Sequence, residues 1–343
     1  MSFEPPWEPG VFAPCALSTG FHSASMPSTW ATLTPILGAI APVFIIIALG
    51  RAVAWKGMLS DRGIHELTRV LYWVCLPALL VDRLGQSLPP VHTVLLGSLV
   101  GVIACTMIIV MSAVLSRRLE PAQRGTVING CFRMNGAFVG LPVIILLAAS
   151  LQLEGLEARY FLMMAVMVPV TNALAVIAFL LPGRGLRRDS LSQVAGEVVR
   201  NPIILASMLG IGLGISGLGA HWSSSPPGVA IRFLGDSSIP LALILAGASL
   251  DLSLLRRSWA ILASVSIAKL LLAPACVLVV AWLCNLDRAT TLALVILLGS
   301  PTAVSAVPMA RQLGGDSTLM AAIIVATTLL SPITLLLWLV ITV

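Results

Sequence analysis

The chain has 343 residues, of which 58% are hydrophobic and only 10% are charged, and its mean hydropathy is +1.02. A soluble domain carries roughly a quarter charged residues, so this composition excludes an ordinary soluble protein and predicts a chain that folds in a lipid bilayer. The formal net charge of +6 does not indicate a nucleic-acid partner, because the basic residues are scattered between apolar runs.

The first thirty residues differ from the rest of the chain. The segment 1–30 is rich in Pro and Ser and has no Lys or Arg, whereas a secretory signal has a basic start and an apolar middle. We therefore expect a disordered N-terminal extension at 1–30. Met26 is a candidate for the true start, because the first convincing helix begins shortly after it.

Ten apolar runs follow, each close to the length of about 20 residues that crosses a bilayer as a helix. Their approximate limits are 33–54, 64–84, 93–115, 125–149, 158–181, 202–219, 228–250, 257–283, 290–310 and 317–342. The sequence therefore predicts an all-α membrane protein with ten transmembrane helices. The longest connection, 182–201, fits either a cytoplasmic loop or an amphipathic helix on the membrane surface.

Basic residues orient the predicted helices. Fourteen of the 20 Lys and Arg residues lie in one set of alternate connections, four lie in the other set, and Arg133 and Lys269 lie inside spans. The positive-inside rule places the richer set in the cytoplasm. We therefore expect a multi-pass protein of the cell (inner) membrane with both termini on the extracytoplasmic side.

The two halves of the chain align with each other. The segment PVFIIIALG at 42–50 matches PIILASMLG at 202–210, and CLPALL at 75–80 matches SIPLAL at 238–243. PVTNAL at 169–174 matches PITLLL at 332–337, and Asn135 and Pro142 match Pro301 and Pro308. The offsets are 160 to 166 residues. Because five is an odd number of spans, the second copy of the repeat must cross the membrane in the opposite orientation to the first. The sequence thus predicts a 5+5 inverted repeat, 31–181 and 202–343, of the kind found in secondary transporters.

The fourth and ninth spans each contain residues that weaken a helix. Gly140 and Pro142 lie in the fourth span, and Pro301 and Pro308 lie in the ninth. Proline removes a backbone donor and frees a carbonyl group, and unwound backbone at membrane depth is tolerated only where protein buries it or a polar cavity adjoins it. We expect helices 4 and 9 to be broken and to cross at these residues, with a hydrated hollow between them.

Among the charged residues within the spans, where burial of a charge is costly and favours a functional role, three are candidates: Arg133, Lys269 and Asp236. Arg133 suits a carboxylate ligand, although it could instead extend to the membrane surface or support neighbouring carbonyl groups. Lys269 could neutralise a helix C-terminus, pair with Asp236 or attract a substrate anion. Asp236 could carry a proton or cap a helix, so Asp236 and Lys269 are candidates for ion or proton coupling.

Asn135 is the strongest single candidate for substrate binding, because its amide both donates and accepts hydrogen bonds; the alternative role is a cap for the broken helix. Gly136 lies beside it. Thr302, Ser305, Thr171 and Asn172 are weaker candidates, since Ser and Thr often bond to their own helix.

Several segments resemble the auxin efflux carrier family. They are R-x-N-x-x-x-x-G-L-P from Arg133, NPIILA from Asn201, IPLALILAGASL from Ile239, and SPTAVSAVPMARQLGGD with TLLSPIT near the C-terminus. The resemblance covers about residues 33–342. It implies a scaffold of helices 1, 2, 6 and 7 and a mobile transport unit of helices 3–5 and 8–10. Helices 4 and 9 would cross at Pro142 and Pro308, and two copies of the chain would form a homodimer through their scaffolds.

The resemblance also implies a carrier of small organic anions such as malate-like, malonate-like or auxin-like acids. The alternatives are a cation/proton antiporter or a sodium-coupled carrier, with a proton or a sodium ion as partner. An antiporter would need acidic residues near 135–142 and 301–308, and none is present. No HExxH motif or P-loop occurs, and the six cysteines show no metal-ligand spacing. The sequence predicts neither an enzyme nor a cofactor or metal.

Overall fold

The structure is a computed structural model that describes residues 28–343, except 87, 89, 154, 181, 183–200 and 257, and it describes only the backbone of residues 28–32 and 220. Residues 1–27, including the candidate start Met26, lie outside the described residues, as does nearly all of the predicted loop or amphipathic helix at 182–201. Residues 28–30 already belong to the first helix, so the predicted N-terminal extension is three residues too long.

The described residues form helices and their connections and include no strand. The α-helices of the first half are α1 (Ser28–Trp55), α2 (Asp61–Val70), α3 (Leu76–Gln86), α4 (Val91–Leu115), α5 (Pro121–Phe132), α6 (Leu141–Leu151) and α7 (Leu156–Leu180). Those of the second half are α8 (Pro202–Ile215), α9 (Gly219–Ser224), α10 (Pro226–Asp236), α11 (Ser238–Ala248), α12 (Trp259–Ile267), α13 (Ala273–Leu283), α14 (Arg288–Gly299), α15 (Ala306–Leu313) and α16 (Ser317–Thr342). Single π-helical turns occupy Leu71–Cys75, Gly136–Gly140 and Ala268–Leu272, and a 3₁₀ turn occupies Leu252–Arg256.

Eight helical segments of the described chain are long and apolar enough to cross a membrane. They are Leu33–Trp55, Asp61–Gln86, Val91–Leu115, Pro121–Leu151, Leu156–Leu180, Pro226–Ala248, Trp259–Leu283 and Ser317–Thr342. Pro202–Ile215 and Arg288–Gly299 are shorter apolar helices. The eight long segments match eight of the predicted apolar runs to within four residues, whereas Arg288–Gly299 ends 11 residues before the run 290–310 does. The helix type follows because lipid offers no partner for an unpaired backbone group.

Side chains cap several helix starts. The Asn201 side chain accepts a hydrogen bond from the backbone N–H of Ile203 at 2.9 Å, before α8. Asp316 accepts a bond from the N–H of Leu319 at 2.9 Å, before α16. Such caps satisfy donors that a helix leaves unpaired in its first turn, and they fix where these helices begin.

Two groups of helices pack closely, and α1 of the first group also packs against α6 and α16. In the first group α1 packs along α11, and α3 packs along α8 and α10. A Cβ atom on Gly50 or on Gly247 would overlap backbone of the facing helix, at Ile244 and Ile47 respectively, so glycine permits the close approach of α1 and α11. In the second group α4 packs on α5, α7 and α13, and α14 packs on α7, α13 and α16.

Candidate functional site

The fourth apolar span is interrupted near its middle. Helix α5 ends at Phe132, residues 133–135 are not helical, and the π-helical turn Gly136–Gly140 leads into α6. The carbonyl of Asn135 accepts hydrogen bonds at 3.1 Å from the N–H groups of both Val139 and Gly140. Helical bonding therefore resumes at Asn135.

The ninth span is interrupted in the same way. Helix α14 ends at Gly299, residues 300–305 are not helical, and α15 follows. In a continuous helix the Thr302 N–H would bond to the Leu298 carbonyl; here it donates to Oγ1 of Thr327, on α16, at 3.1 Å. The neighbouring helix thus satisfies a buried donor that the interruption frees.

Both interruptions lie before the prolines at which the sequence placed the crossing: residues 133–135 end seven residues before Pro142, and residues 300–305 end three residues before Pro308. Pro142 is the second residue of α6 and Pro308 is the third residue of α15. Pro308 is tolerated because the first-turn N–H groups of a helix have no intrahelical partner. Pro142 lies seven residues after Asn135, where helical bonding resumes, so this reason does not apply to it. Pro301, by contrast, lies within the non-helical segment itself.

The two interruptions contact each other through hydrogen bonds. The Asn135 N–H donates to the Pro301 carbonyl at 2.8 Å, and Oγ1 of Thr302 donates to the carbonyl of Gly130 at 2.8 Å. Asn135 is 3% exposed and Thr302 is fully buried. Residues 135 and 301 are also a matched pair in the alignment of the two halves, so the spans meet at equivalent positions.

The side-chain amide of Asn135 lies at this junction. It forms no hydrogen bond with any described residue, and it does not cap the turn that follows. The alternative role that the sequence offered, a side-chain cap for the broken helix, is therefore not seen. Only the backbone carbonyl of Asn135 accepts hydrogen bonds from the turn that follows. Asn135 is nearly buried but its amide atoms are not fully enclosed, so a solute or water can complete their hydrogen bonds.

Arg133 reaches from one interruption to the other. Its Nη2 donates to Oγ of Ser305 at 2.9 Å, and its Nη1 donates to the Oδ1 atom of Asn172. Ser305 is the residue before α15. Arg133 is 5% exposed, so its guanidinium group lies inside the protein beside the crossing instead of extending to a surface.

Lys269 and Asp236 do not pair with each other. Lys269 is fully buried on the π-helical turn between α12 and α13, and its Nζ donates to the Leu298 carbonyl at 2.5 Å. Asp236 accepts from Nη2 of Arg83 at 3.4 Å, and its side chain is 54% exposed. The structure thus favours the helix-end role among the three that the sequence left open for Lys269, and it leaves Asp236 outside the crossing.

Tyr160 of α7 supports the π-helical turn. Its hydroxyl donates to the Gly136 carbonyl at 2.9 Å, and a Cβ atom on Gly140 would overlap that hydroxyl. Tyr160 is fully buried. Gly136 and Gly140 therefore make room for a side chain from a neighbouring helix, and they also weaken the helix to which they belong.

Comparison with known proteins decides the class. A family model described as "Membrane transport protein", which represents the auxin efflux carrier family, matches residues 35–190 and again residues 184–339. The chain belongs to this family. An "Uncharacterized transporter" of Methanothermobacter thermautotrophicus is 24% identical over 311 residues, which cover 87% of this chain and 96% of that protein. The chain is therefore a membrane transporter, and it is not an enzyme.

The interrupted spans of this carrier contain cations and no carboxylate. Segments 121–151 and 288–313 include no Asp or Glu. Two cavities of about 240 and 300 Å³ are lined by other residues, one by Gln123, Ser258 and Asp316 among others, and one by Arg69 and Trp73 among others. Neither of these two cavities corresponds to the hydrated hollow that was expected between the breaks.

Several residues at the carrier's crossing were missed or ranked low from the sequence. Tyr160 and Thr327 were not singled out, although a tyrosine within an apolar span is conspicuous in a chain with two tyrosines. Thr171 bonds to Met167 of its own helix, as expected for a threonine in a span. Thr302 instead bonds across to the other interrupted span.

Proposed function

We propose that this family member is a secondary transporter of small organic anions and that the solute binds at the crossing of the two interrupted spans. Asn135 would contact the solute directly, with Arg133, Gly136, Thr302 and Ser305 around it. The observation that carries the proposal is the Asn135 amide, which is buried at the junction of the two breaks and forms no hydrogen bond with any described residue.

The charge distribution supports an anion over a cation. Arg133 and Lys269 are buried in or beside the interrupted spans, and those spans contain no acidic residue. A cation/proton antiporter would need a carboxylate that binds and releases its ion. The helix dipoles do not add to this argument, because the starts after the breaks present partial positive charge and the ends of α5 and α14 present partial negative charge.

The proposed architecture is a 5+5 inverted repeat of ten membrane-crossing segments. Support comes from the eight long spans with two shorter apolar helices, from the double match of the family model and from the matched positions of the two breaks. The group containing α1, α3, α8 and α11 would be the scaffold, and the group around α4, α7, α13 and α14 would be the transport unit. Alternating access would then move the transport unit against the scaffold.

Two further parts of the proposal concern assembly and orientation. The apolar side chains of Leu205, Met208 and Leu209 on α8 are exposed, and a scaffold homodimer could cover them. The excess of Lys and Arg in alternate connections supports an inner-membrane protein with both termini outside.

Transport by an Asn135→Ala variant tests the site. Loss of a hydrogen bond to a charged solute costs about 1.5–3 kcal/mol, so we expect affinity to fall roughly 10-fold to 100-fold. Purified protein in proteoliposomes would be assayed for uptake of labelled malonate and malate, after a thermal-shift screen of dicarboxylates and aromatic acids. The melting temperature should stay near that of the wild type, because the Asn135 amide forms no hydrogen bond with any described residue.

Gln312→Ala is the matched control, since it removes an exposed amide at the far end of α15 and should leave uptake unchanged. Asn135→Asp separates anion from cation transport. The added negative charge should abolish anion uptake, whereas a cation carrier would retain or gain activity. Normal anion uptake by a folded Asn135→Ala variant would contradict the assignment of the site.

A further inference from the structure

Lys269, which carries a positive charge when protonated, lies next to the crossing. Its Nζ bonds to the Leu298 carbonyl, three residues before Pro301, whose own carbonyl accepts the bond from Asn135. Lys269 is fully buried. Among the residues that the structure describes, no carboxylate lies within the 4.0 Å of Nζ that would define a salt bridge.

The helix end that Lys269 contacts neutralises only part of this charge. Leu298 belongs to the last turn of α14, and the C-terminal end of a helix carries roughly half an elementary negative charge. A buried cation that is only partly compensated favours the approach of a negative charge from outside the protein. At the crossing, that charge can come from the solute.

We propose that Lys269 is the positioning residue that makes the crossing prefer a dianion over a monoanion of the same carbon skeleton. It acts without touching the solute: its hydrogen bond holds the end of α14, and its charge attracts the second negative charge of a dicarboxylate. This inference rests on the proposed function, because it concerns the charge of the solute that binds at the Asn135 site.

A substitution can separate the hydrogen bond from the charge. Glutamine in place of Lys269 keeps an N–H donor for the Leu298 carbonyl but removes the positive charge. Arginine keeps both. If Lys269 only satisfied the helix end, Lys269→Gln would behave like the wild type in every transport assay.

The test compares matched pairs of probes in proteoliposomes: malonate, succinate and malate, each against its monomethyl ester. In the wild type we expect a clear preference for the dianion. In Lys269→Gln we expect KM for the dianion to rise roughly tenfold, with kcat and the KM for the monoester nearly unchanged. Lys269→Arg should restore the preference. Lys56→Gln is the matched control, since Lys56 is the other lysine of the chain and is exposed.

Each outcome bears on the inference separately from the proposed function. If the wild type binds none of these acids or their esters, the proposed function itself fails. If the wild type binds an acid but binds its monoester equally well, the inference fails without any variant. The wild-type measurement alone can therefore refute it, even if the Lys269→Gln protein is unstable. If Lys269→Gln keeps the wild-type preference for the dianion, Lys269 has only a structural role.

Discussion

At the scale of single residues, the crossing depends on side chains that come from other helices. Tyr160 of α7 reaches Gly136, and Lys269 of the π-helical turn after α12 reaches Leu298. The sequence identified Gly136, Gly140 and Lys269 by their unusual occurrence in apolar spans. It could not identify their partners, because a contact between residues 24 or 29 positions apart in different helices depends on packing and leaves no local pattern.

Gly140→Ala tests the contact with Tyr160. The new methyl group would overlap the Tyr160 hydroxyl and displace it from the Gly136 carbonyl, so we expect a loss of about 1–3 kcal/mol in stability. Thermal unfolding in detergent would measure it. Tyr160→Phe removes the hydroxyl and should relieve the overlap, so the double variant should be more stable than Gly140→Ala alone. Additive losses in the double variant would contradict this account.

At the scale of elements, each interruption depends on its neighbours as much as on its own residues. The sequence predicted broken fourth and ninth spans and placed the breaks at Pro142 and Pro308. The non-helical segments occur at 133–135 and 300–305, and Pro301 lies inside the second of them. Pro308 follows in the first turn of α15, where a proline costs no hydrogen bond. A proline thus signals that a helix restarts nearby, but it does not fix the residue at which the preceding helix ends.

Thr327→Val tests how α16 supports the ninth span. Valine has nearly the same shape as threonine but cannot accept the hydrogen bond from the Thr302 N–H. A buried, unsatisfied donor costs about 1–3 kcal/mol, so we expect a lower melting temperature and slower transport. Thr327→Ser keeps the hydroxyl and should remain near the wild type. Equal behaviour of the two variants would show that the break does not depend on this bond.

At the scale of the whole molecule, composition and hydropathy were enough to predict the helical class and the positions of the eight long apolar segments to within four residues. The pairing of helices was not predictable in the same way. The contact of α1 with α11 depends on Gly50 and Gly247, which are nearly 200 residues apart. In the sequence they are two among 28 glycines.

The orientation of the whole molecule can be tested with single cysteines. His92 and Arg118 are exposed at opposite ends of α4, and the basic connections predict that residue 118 is cytoplasmic. In a background without accessible cysteines, a membrane-impermeant maleimide should label His92→Cys in intact cells. It should label Arg118→Cys only after the cells are permeabilised. The reverse pattern would overturn the proposed orientation.

The bond between Asn135 and Pro301 also limits how alike the two halves can be. Pro301 has no N–H group, so it cannot return the hydrogen bond that it receives, and one half always donates while the other always accepts. Two prolines facing each other at these positions could not form the bond, so at least one of the two spans needs a residue with an N–H group there. Exchanging the two residues would leave residue 301 as the donor and residue 135 as the acceptor.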